Sequence, residues 1–332
     1  MGKKFTICSL ILSSGRLTGL VNYGIMTNVE LSTISKYNTG SNINVFTRRT
    51  GAKYMNSIRI VSDSSSDIVS LEYADFAYSP MKIIAGEREF TDDISLDVNK
   101  MADFFDKYKG KSSTSCPNPS DWLEAFGDAE RVICVTITSA LSGSYNSACT
   151  AKQMYEAAHP GRHVFVLDTL SAGPQITLVV KKLEEYVKNK MPFDEICGNI
   201  KEYLKNTGLV FMLKSLKNFA NNGRVSPIVA KIVGIAGICI VGRASDEGTL
   251  EPTHKCRGEG HSLNTLLSDL EKYGLKTGRV SIGHCSNETA ALAIKKKIEE
   301  KFSRVRVEIH KLRGLCSFYA EKGGMLVGFE KC

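Results

Sequence analysis

The 332-residue chain is long enough for two domains with separate cores, and its 42% hydrophobic and 23% charged content is that of a globular protein, which excludes a disordered chain. Its net charge of +8 suggests a nucleic-acid binder, yet residues 1–54 carry seven Lys/Arg against Glu30 alone and hold +6 of it, leaving +2 on the other 278 residues. A nucleic-acid binder carries its positive charge on the folded face that meets the phosphates, so nucleic acid is excluded as a partner.

At the N-terminus, Lys3-Lys4 followed by Phe5 to Leu12 imitates a secretory leader, but the apolar stretch is short and no A-x-A cleavage site follows. Met55 directly precedes the first strong strand. Residues 1–54 are therefore expected to be an N-terminal extension, poorly ordered or upstream of the true start. From there the pattern predicts a strand over 57–62, the acid- and hydroxyl-rich turn Asp63-Ser-Ser-Ser-Asp67, and strands over 81–85, 131–137 and 163–167. Helices are predicted over 97–108, 120–126, 146–158 and from about 174 to 190, with Asp97 and Ser120 as caps. Strands alternating with helices imply a parallel sheet covered on both faces.

The second half reads as a helix over 193–206, a strand over 208–213, a polar bend over 218–224 and an apolar helix over 227–235. Strands over 238–242, 249–254, 279–284 and 305–311 follow, separated by helices over 262–273 and 287–302. The expected organisation is thus the extension 1–54, an α/β domain over 55–210 and a second α/β domain over 211–332. No run approaches the 18–20 apolar residues of a membrane span, so any membrane contact is expected to be transient. Ten cysteines, none in a C-x-x-C pair and several in apolar runs, fit a reducing, cytoplasmic compartment.

The hydroxyls carry the functional signal. Thr114-Ser115, Thr138-Ser139, Ser142-Gly143-Ser144 and Ser171 all follow predicted strands or precede predicted helices. Ligands of open parallel sheets sit at the carboxyl ends of the strands, and neutral hydroxyls with helix-start N–H groups suit one carboxylate or phosphate. Helix capping is the simpler account of any single residue; several clusters at successive strand ends point to a shared anion site. Competing chemistries have weaker sequence support. Ala140-Leu141-Ser142-Gly143-Ser144 is not G-x-S-x-G, and none of the six histidines is assignable as a base by spacing. His159 and His163 are separated by Pro160-Gly161, and His254, Cys256 and His261 lack a fourth metal ligand. Gly234 to Gly242 matches neither nucleotide-binding glycine pattern, and its glycines read as close packing beside an apolar site. Arg224, after Asn221-Asn222-Gly223, and Arg257, in Lys255-Cys256-Arg257-Gly258, stand at polar bends. Both a plain surface role and a partner's anchor remain open for them.

Six segments, in order, resemble the DegV family of fatty-acid-binding proteins over nearly all of residues 57–330. They are Asp63-Ser-Ser-Ser-Asp67, Glu89-Phe-Thr-Asp-Asp93, Ser113-Thr-Ser-Cys-Pro117, Thr138-Ser-Ala-Leu-Ser-Gly-Ser-Tyr145, Asp168-Thr-Leu-Ser-Ala172 and Asn222-Gly-Arg-Val-Ser226. The resemblance implies a flavodoxin-like parallel-sheet domain, a second α/β domain, and a long-chain fatty acid between them as ligand, with no cofactor and no metal. It places the carboxylate on Thr114, Ser115, Thr138, Ser139 and Ser142, with the choice between Ser139 and Ser142 as the closer ligand open. It assigns Arg224 and Arg257 to docking a fatty-acid kinase that phosphorylates the presented carboxylate, so that the chain itself is a non-catalytic binding protein. Cys116 departs from the family, which often has Gln there. Gly314 to Gly324 replaces the histidine-bearing Gly-Pro-Gly segment of many members, so no C-terminal histidine is carried over. The alternative functions are an acyl hydrolase or acyltransferase using Ser142 or Cys116, or a carrier of another small acid.

Overall fold

The computed structural model describes residues 58–225 and 237–331, all within one compact unit. The N-terminal extension and the apolar helix expected over 227–235 lie outside the described residues. Four strands, β1 (Ile58–Asp63), β2 (Asp75–Ser79), β6 (Arg131–Thr136) and β7 (His163–Asp168), form an all-parallel sheet in the order β2-β1-β6-β7. Numbered within the sheet alone, that is the 2-1-3-4 order of flavodoxin-like folds, with the switch point between β1 and β6. Both central strands are apolar on both faces because both faces are covered. Helices α2 (Pro119–Phe126) and α3 (Ser144–Ala158) pack Trp122, Phe126 and Tyr155 on one face; α4 (Pro174–Lys188) and α5 (Phe193–Lys205) pack Ile176, Leu183 and Ile196 on the other.

Two local expectations are corrected. The strand expected over 81–85 is not in the parallel sheet. It is β3 (Lys82–Ala85), the centre of a small antiparallel sheet with β4 (Arg88–Thr91) and β5 (Ser112–Ser115). One edge of the parallel sheet is β2, five residues long and too weakly patterned to read. Ser120 is not the cap of α2: Asn118 is, in a reciprocal capping box with Asp121, and Pro119 occupies the first helical position.

The third sheet runs β10-β9-β8-β13-β11-β12, from β8 (Thr207–Leu213), β9 (Ile238–Ala244), β10 (Leu250–Arg257), β11 (Gly278–His284), β12 (Val305–Lys311) and β13 (Met325–Glu330). Only the β11–β12 pair is parallel. Val210, Met212 and Val327 point to one face, where α7 (Glu259–Lys272) and α8 (Glu288–Lys301) add Leu266 and Ile294. Leu209, Phe211, Leu213 and Leu326 take the opposite face, toward the first domain. Strand β8 is therefore buried on both sides, which is why 208–213 reads as an unbroken apolar run. The domain limit expected at 210/211 falls inside this strand. The bend expected over 218–224 begins with a short helix, α6 (Lys217–Asn221).

One helix ties the domains together. Helix α9 (Gly314–Ala320) leaves the third sheet and packs Phe318 against Phe105 of α1 (Val98–Lys107), ring centres 4.8 Å apart. Asp92, fully buried at the end of β4, accepts the first two N–H groups of α9, Gly314 at 2.8 Å and Leu315 at 2.9 Å. Burial pushes the Asp92 carboxyl up to about 6, the two amide donors offsetting it only in part. Its folded value thus exceeds the unfolded one of about 4, so the native state holds a proton that the unfolded chain has released. This contribution is full below about pH 4 and is lost as pH rises through 6. Urea unfolding between pH 4 and 6 is expected to show a downward slope in stability that is flattened in Asp92→Asn; an unchanged slope would rule the group out.

Candidate functional site

The site begins at the carboxyl end of β1. Asp63 is fully buried and accepts four hydrogen bonds: Ser65 N at 3.2 Å, Ser65 Oγ, Ile137 N at 2.9 Å and Ser144 Oγ at 2.6 Å. Burial raises its pKa and these donors oppose the rise. One carboxylate thus pins the exit of β6 and the start of α3 to the end of β1, across the switch point. The acidic turn read from the sequence is scaffolding that fixes the loop 137–144.

Above it lies a cavity of about 300 Å³ between the strand ends of the first domain and the inner face of the third sheet. Met81, Ile137 and Leu141 line one side, and Leu209, Phe211 and Leu250 the other; α9 closes it with Leu315, Cys316 and Tyr319. Gly242 makes room for this wall, since a Cβ there would meet the Phe211 ring at 2.5 Å and Glu251 O at 2.3 Å.

Hydroxyls gather at one part of this apolar lining. Thr114, Ser115, Thr138 and Ser142 all line the cavity, whereas Ser139 does not; its backbone N–H is bound to Asp168 at 3.1 Å. Their proton inventories differ. Thr114 Oγ1 lies 2.8 Å from Tyr319 OH, so one proton of the pair is committed and the other can be donated to a ligand. Ser142 Oγ accepts from Ser144 N at 3.3 Å and keeps its own proton available. Ser115 donates at 3.3 Å to Cys116 O. Thr138 donates to Gly248 O at 2.8 Å and accepts from Ala140 N at 3.2 Å, so its proton is spent joining the two domains. Gly248, in the β9–β10 turn with φ +78°, fits this contact only as glycine: a Cβ would meet Thr138 Oγ1 at 2.2 Å.

The two arginines part company. Arg224 lines the cavity and donates through Nε to Leu141 O at 3.1 Å, beside the Ser142 loop. Arg257 ends β10, exposed, and is not among the cavity's lining residues. Sequence reasoning missed Tyr319. Burial pushes its hydroxyl above the ordinary value, which keeps it protonated and able to donate. Burial, with the nearby Asp63 charge, likewise pushes the Cys116 thiol up and disfavours the thiolate a nucleophile needs. No histidine among the described residues lines the cavity, so Ser142 has no adjacent imidazole base there. Among the described residues no group of three or more His, Cys, Asp or Glu side chains is arranged to hold a metal.

A flavodoxin-like domain facing a second, mixed sheet across an apolar cavity with hydroxyl donors defines a small-molecule-binding class of α/β protein. The family model described as "Uncharacterised protein, DegV family" matches residues 57–331, and the chain belongs to the DegV family. A DegV domain-containing protein of Streptococcus gordonii is 37% identical over 276 residues, spanning 82% of this chain and 98% of the relative. The crystal structure of a DegV family protein from Eubacterium eligens, loaded with heptadecanoic acid, is 40% identical with a TM-score of 0.81 and covers 83% of this chain and 100% of that one. That of the Streptococcus pneumoniae Fatty Acid Kinase (Fak) B3 protein, loaded with linoleic acid, is 36% identical with a TM-score of 0.82 and the same coverage. No helix among the described residues is long and apolar enough to cross a membrane.

Proposed function

We propose that this chain binds one long-chain fatty acid and presents its carboxylate to a partner fatty-acid kinase, which phosphorylates it to an acyl phosphate. The observation that carries the reading is the apolar cavity of about 300 Å³ with Thr114, Tyr319 and Ser142 donors gathered in its lining. Fatty acids in the Eubacterium eligens and Streptococcus pneumoniae structures support the ligand class, and the kinase name of the latter supports the partner. Burying an acyl chain contributes about 0.8 kcal/mol per methylene, so about fourteen methylenes supply roughly 11 kcal/mol before association costs. The polar end therefore needs only to orient the carboxylate, and neutral donors can do that while leaving its oxygens open to phosphorylation.

Organic extraction and native mass spectrometry of the purified protein test this directly. One equivalent of a fatty acid is expected; protein that is empty and also refuses palmitate would sink the reading, and a non-lipid acid in the extract would identify a different cargo. Docking is tested separately at the arginine outside the cavity. Arg257→Glu is expected to keep lipid stoichiometry while lowering turnover by the kinase tenfold or more, and loss of lipid in that variant would contradict a docking role. Arg224, which lines the cavity, is expected to serve both lipid and partner, so Arg224→Glu should lower lipid affinity as well as turnover.

A further inference from the structure

A second concavity, of about 360 Å³, adjoins the back wall of the lipid cavity. Leu209, Arg243 and Ala244 line both. A polar relay bridges them too: Ser171, on the lipid side, donates to Gln175 at 2.6 Å, and Gln175 donates to Thr207 at 2.9 Å on the other side. These partition groups satisfy one another.

The groups beyond the partition do not. Lys331 is half-buried, its stem lying over Gly208, where a Cβ would come within 3.1 Å of Lys331 Cε. Its ammonium has no hydrogen-bond or ion-pair partner among the described residues. Arg243 spends Nε on Glu251 at 2.8 Å and Nη1 on Asp246 at 3.5 Å, and stands 5.3 Å from the centre of the Tyr273 ring. Among the described residues Asp246 is the one acid in the lining; it pairs with Arg243 and its charge also favours the Lys331 ammonium. The Tyr273 hydroxyl has no partner among the described residues. Open to a ligand are an ammonium, the remaining guanidinium nitrogen and a phenol, a set in which nearly every site is a donor. Burial, against the opposing pull of the Asp246 charge and with a lesser push from Arg243, holds the Lys331 ammonium below its ordinary range, a cost that a bound anion would relieve. Leu204, Leu209 and Phe329 supply apolar surface beside these donors.

We propose that this second cavity binds a small amphipathic anion, its carboxylate or phosphate on Lys331 and Arg243 and its apolar body against Leu204, Leu209 and Phe329. The site is separate from the lipid cavity and stands or falls independently of the lipid reading. Calorimetric titration of the full chain with octyl phosphate, octanoate and inorganic phosphate tests it, the first two arms distinguishing the acid group. In protein already saturated with palmitate, which occupies the first cavity, at least one amphiphile is expected to bind saturably with an affinity lowered tenfold or more by Lys331→Gln. Absence of binding by both amphiphiles, or binding that Lys331→Gln leaves intact, overturns the proposal. Inorganic phosphate binding as tightly as octyl phosphate overturns the amphiphile chemistry. If Lys331→Gln loses its cooperative unfolding transition, Tyr273→Phe takes its place, with a severalfold loss of affinity expected and an unchanged affinity counting against the site.

Discussion

Thr114→Ala combined with Ser142→Ala is expected to weaken fatty-acid binding by about 100-fold while leaving the fold intact. Each hydroxyl can give one proton to the carboxylate, Thr114 by accepting from Tyr319 and donating onward. Hydrogen bonds to a charged acceptor contribute about 1.5–3 kcal/mol each, so losing two costs about 3 kcal/mol at the low end, and 1.4 kcal/mol is a factor of ten. The structural cost is small because, among the described residues, Ser142 donates to no protein group and Thr114 Oγ1 is tied only to Tyr319. Competition binding with a fluorescent fatty acid would measure the loss. An affinity within threefold of the parent would show that the carboxylate sits elsewhere. Thr138→Val should behave differently, loosening the contact with Gly248 between the domains, because its proton already belongs to that carbonyl.

The second large effect falls on stability. Asp63→Ala is expected to lower unfolding stability by roughly 3–5 kcal/mol, since it strips the acceptor from the buried Ile137 and Ser65 amides and from the Ser144 hydroxyl, and each buried group left unsatisfied costs about 1–3 kcal/mol. Asp63→Asn should cost less. One oxygen remains, although the new amide N–H₂ must face a donor, and only the hydroxyls can turn to accept it. Urea titration of the three proteins gives the order directly; equal midpoints would mean that the carboxylate does not hold the loop 137–144. Because Ser142 rides on that loop, lipid affinity should fall along with stability in both variants.

The legible parts of the molecule were those with local signals. The parallel sheet was readable from apolar runs such as 131–137 between helices of clear period, and the hydroxyl clusters from their places at strand ends. Strand β13 and helix α9 were not, because Gly314 to Glu330 mixes glycines, polar residues and a short apolar stretch without either period. Their structure comes from tertiary partners: Asp92 caps α9 from more than two hundred residues away, and β13 is held between β8 and β11. Tyr319 was invisible for the same reason, since only folding brings it to Thr114. Asp63 stands out in the sequence, but a buried acceptor and a ligand-binding acid look alike there; the four donors around it tell them apart.

The cavity takes walls from positions as far apart as Met81 and Leu326. During synthesis the first domain emerges well before α9 and β13, and domains tend to fold as they appear. Until residues 314–326 are in place, the cavity lacks the side formed by Leu315, Cys316, Tyr319 and Leu326, and the hydroxyls stand open to water. A ligand can therefore be enclosed only once residues 314–326 have emerged and docked, so that a ribosome-bound intermediate lacking this segment has an open cavity.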